Sequence, residues 1–361
     1  MQAFEPTRLS ERMLRNRIAM APMTTYSAES DLTPSKEELD YYAKRSTGAG
    51  MVISAAIAVN RQAQAFPRQI SLKDDAYIAP MRKLVDRIKE KGAKAIAQLH
   101  HGGRMNDPSL FENPEDIVSA SAVRAERENA VTPKAMDEAD IERTVDDFQK
   151  AARRAIEAGF EGVELHGANT YLLQQFFSPH SNRRDDAYGG SLERRLTFID
   201  RVIDRVEKTV SSLDSGAIIG YRFSPEEIET PGITLNDTVQ LLRHLKQKPL
   251  DYLHVSLGHY DQTSLRDKTT KIARVILSEK GDIPMMASGS IDSFEALEAA
   301  QSLGYDFFAM GKALLADPDA VEHIRRRHPI DKRFDSGTLP PRLYERLKRK
   351  QKVFLSHGYR F

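Results

Sequence analysis

Short runs rich in apolar and β-branched residues alternate along almost the whole chain with longer stretches whose apolar positions recur at helical spacing. Eight short runs stand out: Arg17–Ala21, Gly50–Ala55, Lys94–Leu99, Gly162–Leu165, Ala217–Phe223, Asp251–Ser256, Ile283–Ala287 and Asp306–Met310. They read as buried strands. Between them lie helical patterns such as residues 76–92, 136–159 and 293–304, with glycine where a helix C-cap would sit. Eight β-α units predict an α/β protein, a (β/α)8 TIM barrel. A doubly wound sheet is the alternative, disfavoured because no Gly-rich dinucleotide loop follows the first strand.

A barrel places its chemistry at the C-terminal ends of its strands, and these ends are well stocked. Pro22, Met23, Thr24, Thr25 and Tyr26 follow the first strand, Ala55 and Ala56 end the second, and Gln98 lies on the third, before His100 and His101. The fifth ends on Arg222, the sixth on Ser256, the seventh on Ser288, Gly289 and Ser290, and the eighth on Gly311 and Lys312. The fourth ends on His166, followed by Asn169 and Tyr171. His166 and Asn169 can both donate hydrogen bonds to a carbonyl or nitro oxygen on which negative charge develops. Tyr171 is a phenol, protonated at neutral pH and suited to give a proton to carbon. Alone, such a His is more often a hydrogen-bonded core residue, and Tyr171 merely starts the apolar face of the next helix. The long polar stretch SNRRDDAYGGSLERR that follows favours a site, since loops of that length are usually functional.

The run H-x-x-N-x-Y at His166, Asn169 and Tyr171, then FFSP at 176–179 and N-x-R-x-D-x-Y-G-G-S at 182–191, resembles the Old Yellow Enzyme family of FMN-dependent ene-reductases and NAD(P)H:flavin oxidoreductases. The resemblance extends from about Phe4 to Pro318. It implies that His166 and Asn169 bind the electron-withdrawing oxygen of an activated alkene, and that Tyr171 protonates carbon after hydride arrives from flavin.

The remaining strand ends suit such a cofactor. Small residues at Gly289, Ser290 and Gly311, with Lys312, put backbone N–H groups where barrels often hold phosphate, although a single glycine is as a rule only a tight turn. Arg222, at the end of a buried strand, needs an anion, which a reduced flavin carries near its pyrimidine ring; a structural pair with Glu164 or Glu226 is the alternative. Gln98 suits the same polar edge, Thr24 can donate to a ring carbonyl, and Pro22, Met23 and Ala56 offer backbone contacts and little bulk. In the family these positions hold FMN non-covalently, with NADH or NADPH as reductant. Two departures stand out: Lys312 occupies a position that is commonly Arg, and Thr24 follows the plant and yeast branch while Tyr26 resembles a substrate-pocket tyrosine of a bacterial branch.

Composition narrows the rest. The chain has 53 Lys plus Arg against 52 Asp plus Glu, so no global field points to nucleic acid or a membrane. It has no cysteine, which removes disulfides, iron–sulfur clusters, cysteine-bound zinc and thiolate catalysis, and with them a dienoyl-CoA reductase of the iron–sulfur type. His100 and His101 lack a third ligand, so no metal is expected; support of Gln98 from behind is. The polar start and the lack of any membrane-length apolar stretch lead to the expectation of a cytoplasmic enzyme acting on a small molecule. Residues 1–338 are expected to form the barrel and 339–361 a basic extension, with 12 Lys or Arg against three acids over residues 323–360. Its helix should bury Leu343, Leu347 and Phe354 on the barrel, or else pack on a neighbouring subunit of a homo-oligomer and offer Arg360 to its pocket. The stretch Arg104–Pro133 reads as a lid. Two rival functions remain: a non-flavin aldolase or isomerase using the same turns for a substrate phosphate, and a non-catalytic flavin-binding protein.

Overall fold

A strand covered on both faces must be apolar at successive positions, and the run Gly162–Gly167 is buried at all six. In the computed structural model, which describes residues 1–361, eight such runs are strands. They are β1 (Ile18–Met20), β2 (Met51–Ile53), β3 (Lys94–His100), β4 (Gly162–Gly167), β5 (Ile218–Phe223), β6 (Tyr252–Val255), β7 (Met285–Ser288) and β8 (Phe307–Met310). Every neighbouring pair is parallel, β8 pairs with β1, and β2 pairs with β3, which closes the barrel. Each lies within two residues of the boundaries read from sequence.

The helices between them are α1 (Lys36–Arg45), α2 (Ile78–Lys89), α3 (Glu138–Glu157), α4 (Leu192–Leu213), α5 (Leu235–Leu245), α6 (Ile272–Glu279) and α7 (Phe294–Leu303). Their limits follow local chemistry. In α3 Asp137 and Asp140 form a capping box, and Ile141, Val145, Phe148, Ala152 and Ala155 make the buried stripe. Truncating Phe148 to Ala is a change of the kind that costs about 3–5 kcal/mol. Gly304 stops α7 because its φ of 105° is a conformation that a side chain resists. No helix is long and apolar enough to cross a membrane.

The barrel floor is a hairpin, Thr7–Leu9 with Arg12–Leu14, whose Leu9 and Leu14 pack with Met51, Ile96, Ile218 and Phe307. At the other end, register decides what meets. Gln98 of β3 lies opposite Glu164 of β4, and Arg222 of β5 lies opposite both His166 of β4 and His254 of β6. Gly220 is required beneath them, since a Cβ there would come within 2.2 Å of the Tyr252 ring. The chain returns to the barrel at its end: Leu343 and Leu347 of α8 (Pro341–Arg349) are buried, as is Tyr359, which stacks on Phe334 at 5.4 Å. Phe354 is half-buried, edge-on to Phe334.

Candidate active site

Alternation along a strand sends every second side chain to the same face, so β3 to β6 together deliver a polar layer to the barrel interior. Its centre is Glu164, fully buried, which accepts from Gln98 Nε2 at 2.7 Å, Tyr252 Oη at 2.9 Å and His254 Nδ1 at 2.8 Å. Burial opposes its charge, but His254, Arg222 and the hydrogen bonds outweigh burial and hold the carboxyl below its ordinary range. Arg222 lies above without a direct ion pair to it. Its Nη2 donates to Ser256 Oγ at 3.1 Å, while its Nε is buried with no partner. An unmatched guanidinium N–H in the interior is costly unless an acceptor arrives. Gln98 has spent its amide nitrogen on Glu164, which leaves the amide oxygen to accept from a ligand.

The end of β4 fixes the second group. His166 Nδ1 accepts from the Ala168 N–H at 3.3 Å, so a neutral ring carries its proton on Nε2. Neutral is the state expected, because burial first, then Arg222, His100 and His254, push the imidazole well below its ordinary pKa. Asn169 and Thr170 then turn the chain in left-handed conformations, φ 56° and 65°, of the kind that persists where surrounding structure enforces it. The turn swings Tyr171 back over His166, with ring centroids 4.9 Å apart. Asn169 exchanges hydrogen bonds with Ser256 Oγ, Nδ2 donating at 3.1 Å, and so joins the hydroxyl that also receives Arg222. Burial raises the Tyr171 phenol, Tyr26 adds to this, and Arg222 and Arg127 oppose it; the hydroxyl stays protonated.

These groups line one cavity of about 180 Å³ at the C-terminal mouth, walled by Pro22, Thr24, Ala56, Phe66, Gln98, His166, Asn169, Tyr171 and Arg222. Eight of these nine were candidates from the sequence. Phe66 was not, because it lies in the irregular stretch after β2, where one aromatic among many polar residues carries no signal; its ring is edge-on to Tyr171 at 6.0 Å. Met23 and Tyr26 lie outside this wall. Met23 packs by Gly311, where an added Cβ would lie 3.5 Å from its sulfur, and Tyr26 is edge-on to Phe66 at 5.6 Å.

His100 does not back Gln98 as expected. Two residues on along β3, it shares the Gln98 face, so its ring meets Tyr171 at 4.3 Å while Nδ1 lies 3.1 Å from Gln69 Nε2. No three His, Asp or Glu side chains gather at metal-binding spacing.

The four phosphate-turn residues meet at the adjacent ends of β7 and β8. Gly289 and Ser290 are left-handed, φ 102° and 56°, and a Cβ on Gly289 would come within 2.6 Å of the Leu257 carbonyl oxygen. The amides of Gly289, Ser290, Gly311 and Lys312 have no acceptor within the protein. Such a cluster of free amides is an anion cradle. The Lys312 ammonium instead sits 5.9 Å from the Tyr359 ring centroid, so its backbone rather than its charge faces the turn. A buried orphan on Arg222 and unpaired amides at a glycine-built turn fit the two polar ends of FMN.

The stretch Arg104–Pro133 is tied down at several points rather than free. Gln175 Oε1 accepts from Arg104 N at 3.1 Å and from Ser119 Oγ at 2.9 Å, Arg184 Nη1 donates to the Ala120 carbonyl at 2.9 Å, and Arg183 N donates to Ser121 Oγ at 2.8 Å.

Over residues 2–331 the chain matches the family described as NADH:flavin oxidoreductase / NADH oxidase. It is 43% identical over 327 residues to a probable NADH-dependent flavin oxidoreductase, YqiG, of Bacillus subtilis, covering 89% of this chain and 87% of the relative. It is 45% identical over 315 residues to an NADH:acrylate oxidoreductase of Vibrio harveyi, which takes in 84% of this chain but only 31% of that longer protein. Among solved structures, the Old Yellow Enzyme homologue of Zymomonas mobilis superposes with a TM-score of 0.81 at 27% identity, covering 91% of this chain and 94% of the other. These likenesses set aside the non-flavin barrel. The chain belongs to the NADH:flavin oxidoreductase / NADH oxidase family, that of the Old Yellow Enzymes, and is an FMN-dependent oxidoreductase reduced by NADH or NADPH.

Proposed function

We propose that the enzyme reduces alkenes activated by a carbonyl, carboxyl or nitro group. The observation that carries this reading is the juxtaposition of a fixed N–H donor, His166 Nε2, with a protonated phenol, Tyr171, in one closed aromatic wall. When bound, FMN supplies a two-electron carrier that takes hydride from NADH or NADPH and delivers it to the β-carbon of the alkene. His166 Nε2–H donates to the activating oxygen, and the Asn169 amide, turning from Ser256, supplies a second donor, so negative charge is stabilised where it develops. Tyr171 Oη gives its proton to the α-carbon. Thr24 donates to the ring carbonyl, and Gln98 and Arg222 hold the pyrimidine edge. Gly289, Ser290, Gly311 and Lys312 hold the phosphate by their amides. Tyr26 and Phe66 bound the substrate space.

The test begins with an absorbance spectrum. Flavin bands should bleach with NADH or NADPH under anaerobic conditions and return on adding 2-cyclohexenone or acrylate. A second reading has its own support: the chain spans about a third of the acrylate enzyme it resembles, and in that reading the part they share is only the NADH-oxidising part. Bleaching by NADH followed by recovery with oxygen or a dye, and not with any activated alkene, would select it.

A further inference from the structure

Beside the cavity, the barrel mouth carries a second hollow of about 340 Å³ with a cationic wall. Helix α8 lies along it. Leu343 and Leu347 anchor the helix, and Arg342, Arg346 and Arg349, at i, i+4 and i+7, present one stripe to the hollow, with Arg68 among its other walls. The Arg346 guanidinium stacks on the Tyr26 ring at 4.0 Å. None of the four is paired with a carboxylate, although Glu345 lines the same hollow. Elsewhere in the same basic stretch, Arg325 and Arg326 pair with Glu322, Lys332 with Asp292 and Arg360 with Asp331. Unneutralised guanidinium groups around one hollow repel one another, and a bound anion relieves that repulsion. Tyr26 and Arg68 are both held at left-handed φ, 57° and 55°, so backbone strain is kept at two points of the wall.

The hollow adjoins the cavity through two successive ring contacts, Tyr26 to Phe66 at 5.6 Å and Phe66 to Tyr171 at 6.0 Å. In a reduced nicotinamide dinucleotide the first phosphate lies one ribose away from the ring that gives up hydride. We propose that this hollow is the subsite for the diphosphate of NADH or NADPH, gripped by Arg68, Arg342, Arg346 and Arg349 while the nicotinamide enters the cavity. The proposal rests on the reading that the nicotinamide docks beside Tyr171. The planar fork of arginine suits phosphate oxygens, which it can bind two at a time.

The test uses the holoenzyme and two double variants. Arg342→Gln/Arg349→Gln removes two walls of the hollow and leaves the Arg346 stack on Tyr26 in place. Lys348→Gln/Lys350→Gln removes the same charge from positions of the same segment that do not line it. Binding of ADP-ribose, which carries the diphosphate but no nicotinamide, is followed by calorimetry. Flavin reduction is timed with NADH and with the phosphate-free 1-benzyl-1,4-dihydronicotinamide. The arginine pair should weaken ADP-ribose binding and raise the NADH concentration for half-maximal reduction by about tenfold or more, with the lysine pair near wild type and the phosphate-free reductant unaffected. Unchanged ADP-ribose binding in the arginine variant would overturn the proposal. So would an equal loss in the lysine variant, which would reveal a general field, or an equal loss with the phosphate-free reductant, which would reveal a disturbed cavity. If wild-type flavin is not bleached by NADH, the docking reading fails, and the ADP-ribose titration still decides the subsite.

Discussion

Replacing Glu164 by Leu keeps most of the volume and removes the only acceptor shared by three buried donors, Gln98 Nε2, Tyr252 Oη and His254 Nδ1. Each stranded donor costs about 1–3 kcal/mol, and Arg222 loses the charge beneath it. The total should approach the roughly 3–5 kcal/mol typical of removing one partner from a buried charged set. For 361 residues, at about 2.1 cal/mol/K of unfolding entropy per residue, that lowers Tm by about 4–7 °C. Urea unfolding of the apoprotein, followed by circular dichroism at pH 7, measures the loss directly. Glu164→Gln, which keeps an acceptor and the shape, should lose less.

The pH dependence gives a second reading of the same perturbation. The folded-state pKa of Glu164 is depressed, so its stabilisation is present above the ordinary carboxylate range and fades as pH falls through the lower folded value. Wild type and Glu164→Leu should therefore converge in acid and diverge towards neutrality. A Leu variant as stable as wild type at pH 7 would refute the reasoning and mean that the layer is held by packing alone.

Three further outcomes are expected. Tyr171→Phe should slow flavin reoxidation by 2-cyclohexenone by about 10²–10⁴-fold in stopped flow while leaving bleaching by NADH near wild type. Gly289→Ala places a methyl within 2.6 Å of the Leu257 carbonyl oxygen in a left-handed turn, so it should lose FMN on gel filtration and destabilise the protein by about 1–3 kcal/mol. Burial raises the Glu38 carboxyl from 4.5 to about 7, so the native state keeps a proton that the unfolded chain has lost; stability should fall by about 3 kcal/mol between pH 4.5 and 7, and Glu38→Gln should abolish that slope.

Much of this architecture was legible because strands buried on both faces leave a continuous apolar signature, and because a barrel converts strand ends into a site. The gathering of His166, Asn169 and Tyr171 on one cavity could be read for the same reason: the run begins at the end of β4. What sequence could not reveal depends on register and on irregular backbone. That Glu164 of β4 accepts at once from Gln98 of β3 and from Tyr252 and His254 of β6 follows from these strands lying at particular offsets, which no local pattern encodes. Phe66 and Gln69 reach the site from an irregular stretch with no period. His100 was placed behind Gln98, although the two-residue spacing on β3 was enough to set them on one face. The arginines of α8 looked like a solvated face because their shared hollow with Arg68 spans 274 positions between Arg68 and Arg342.

The identity of the proton donor can be argued from the environments rather than from resemblance. His166 and Tyr171 lie 4.9 Å apart, ring to ring, in the same buried wall, yet burial acts on them in opposite senses. It disfavours imidazolium, so His166 enters the reaction neutral, able to hold an oxygen but with no spare proton to give. It disfavours phenolate, so Tyr171 keeps its proton well into the alkaline range. On the proposed function, two groups whose environments push them apart would divide the roles of oxygen holder and acid. The rate of flavin reoxidation by a saturating enone should consequently stay flat from about pH 6 to 9, where neither group titrates. Glu38, buried beneath the loop that carries Thr24, does titrate inside that window, so the profile is best taken in a Glu38→Gln background. A rate that instead falls as pH rises through the ordinary histidine range would make His166 the acid and leave Tyr171 only its packing.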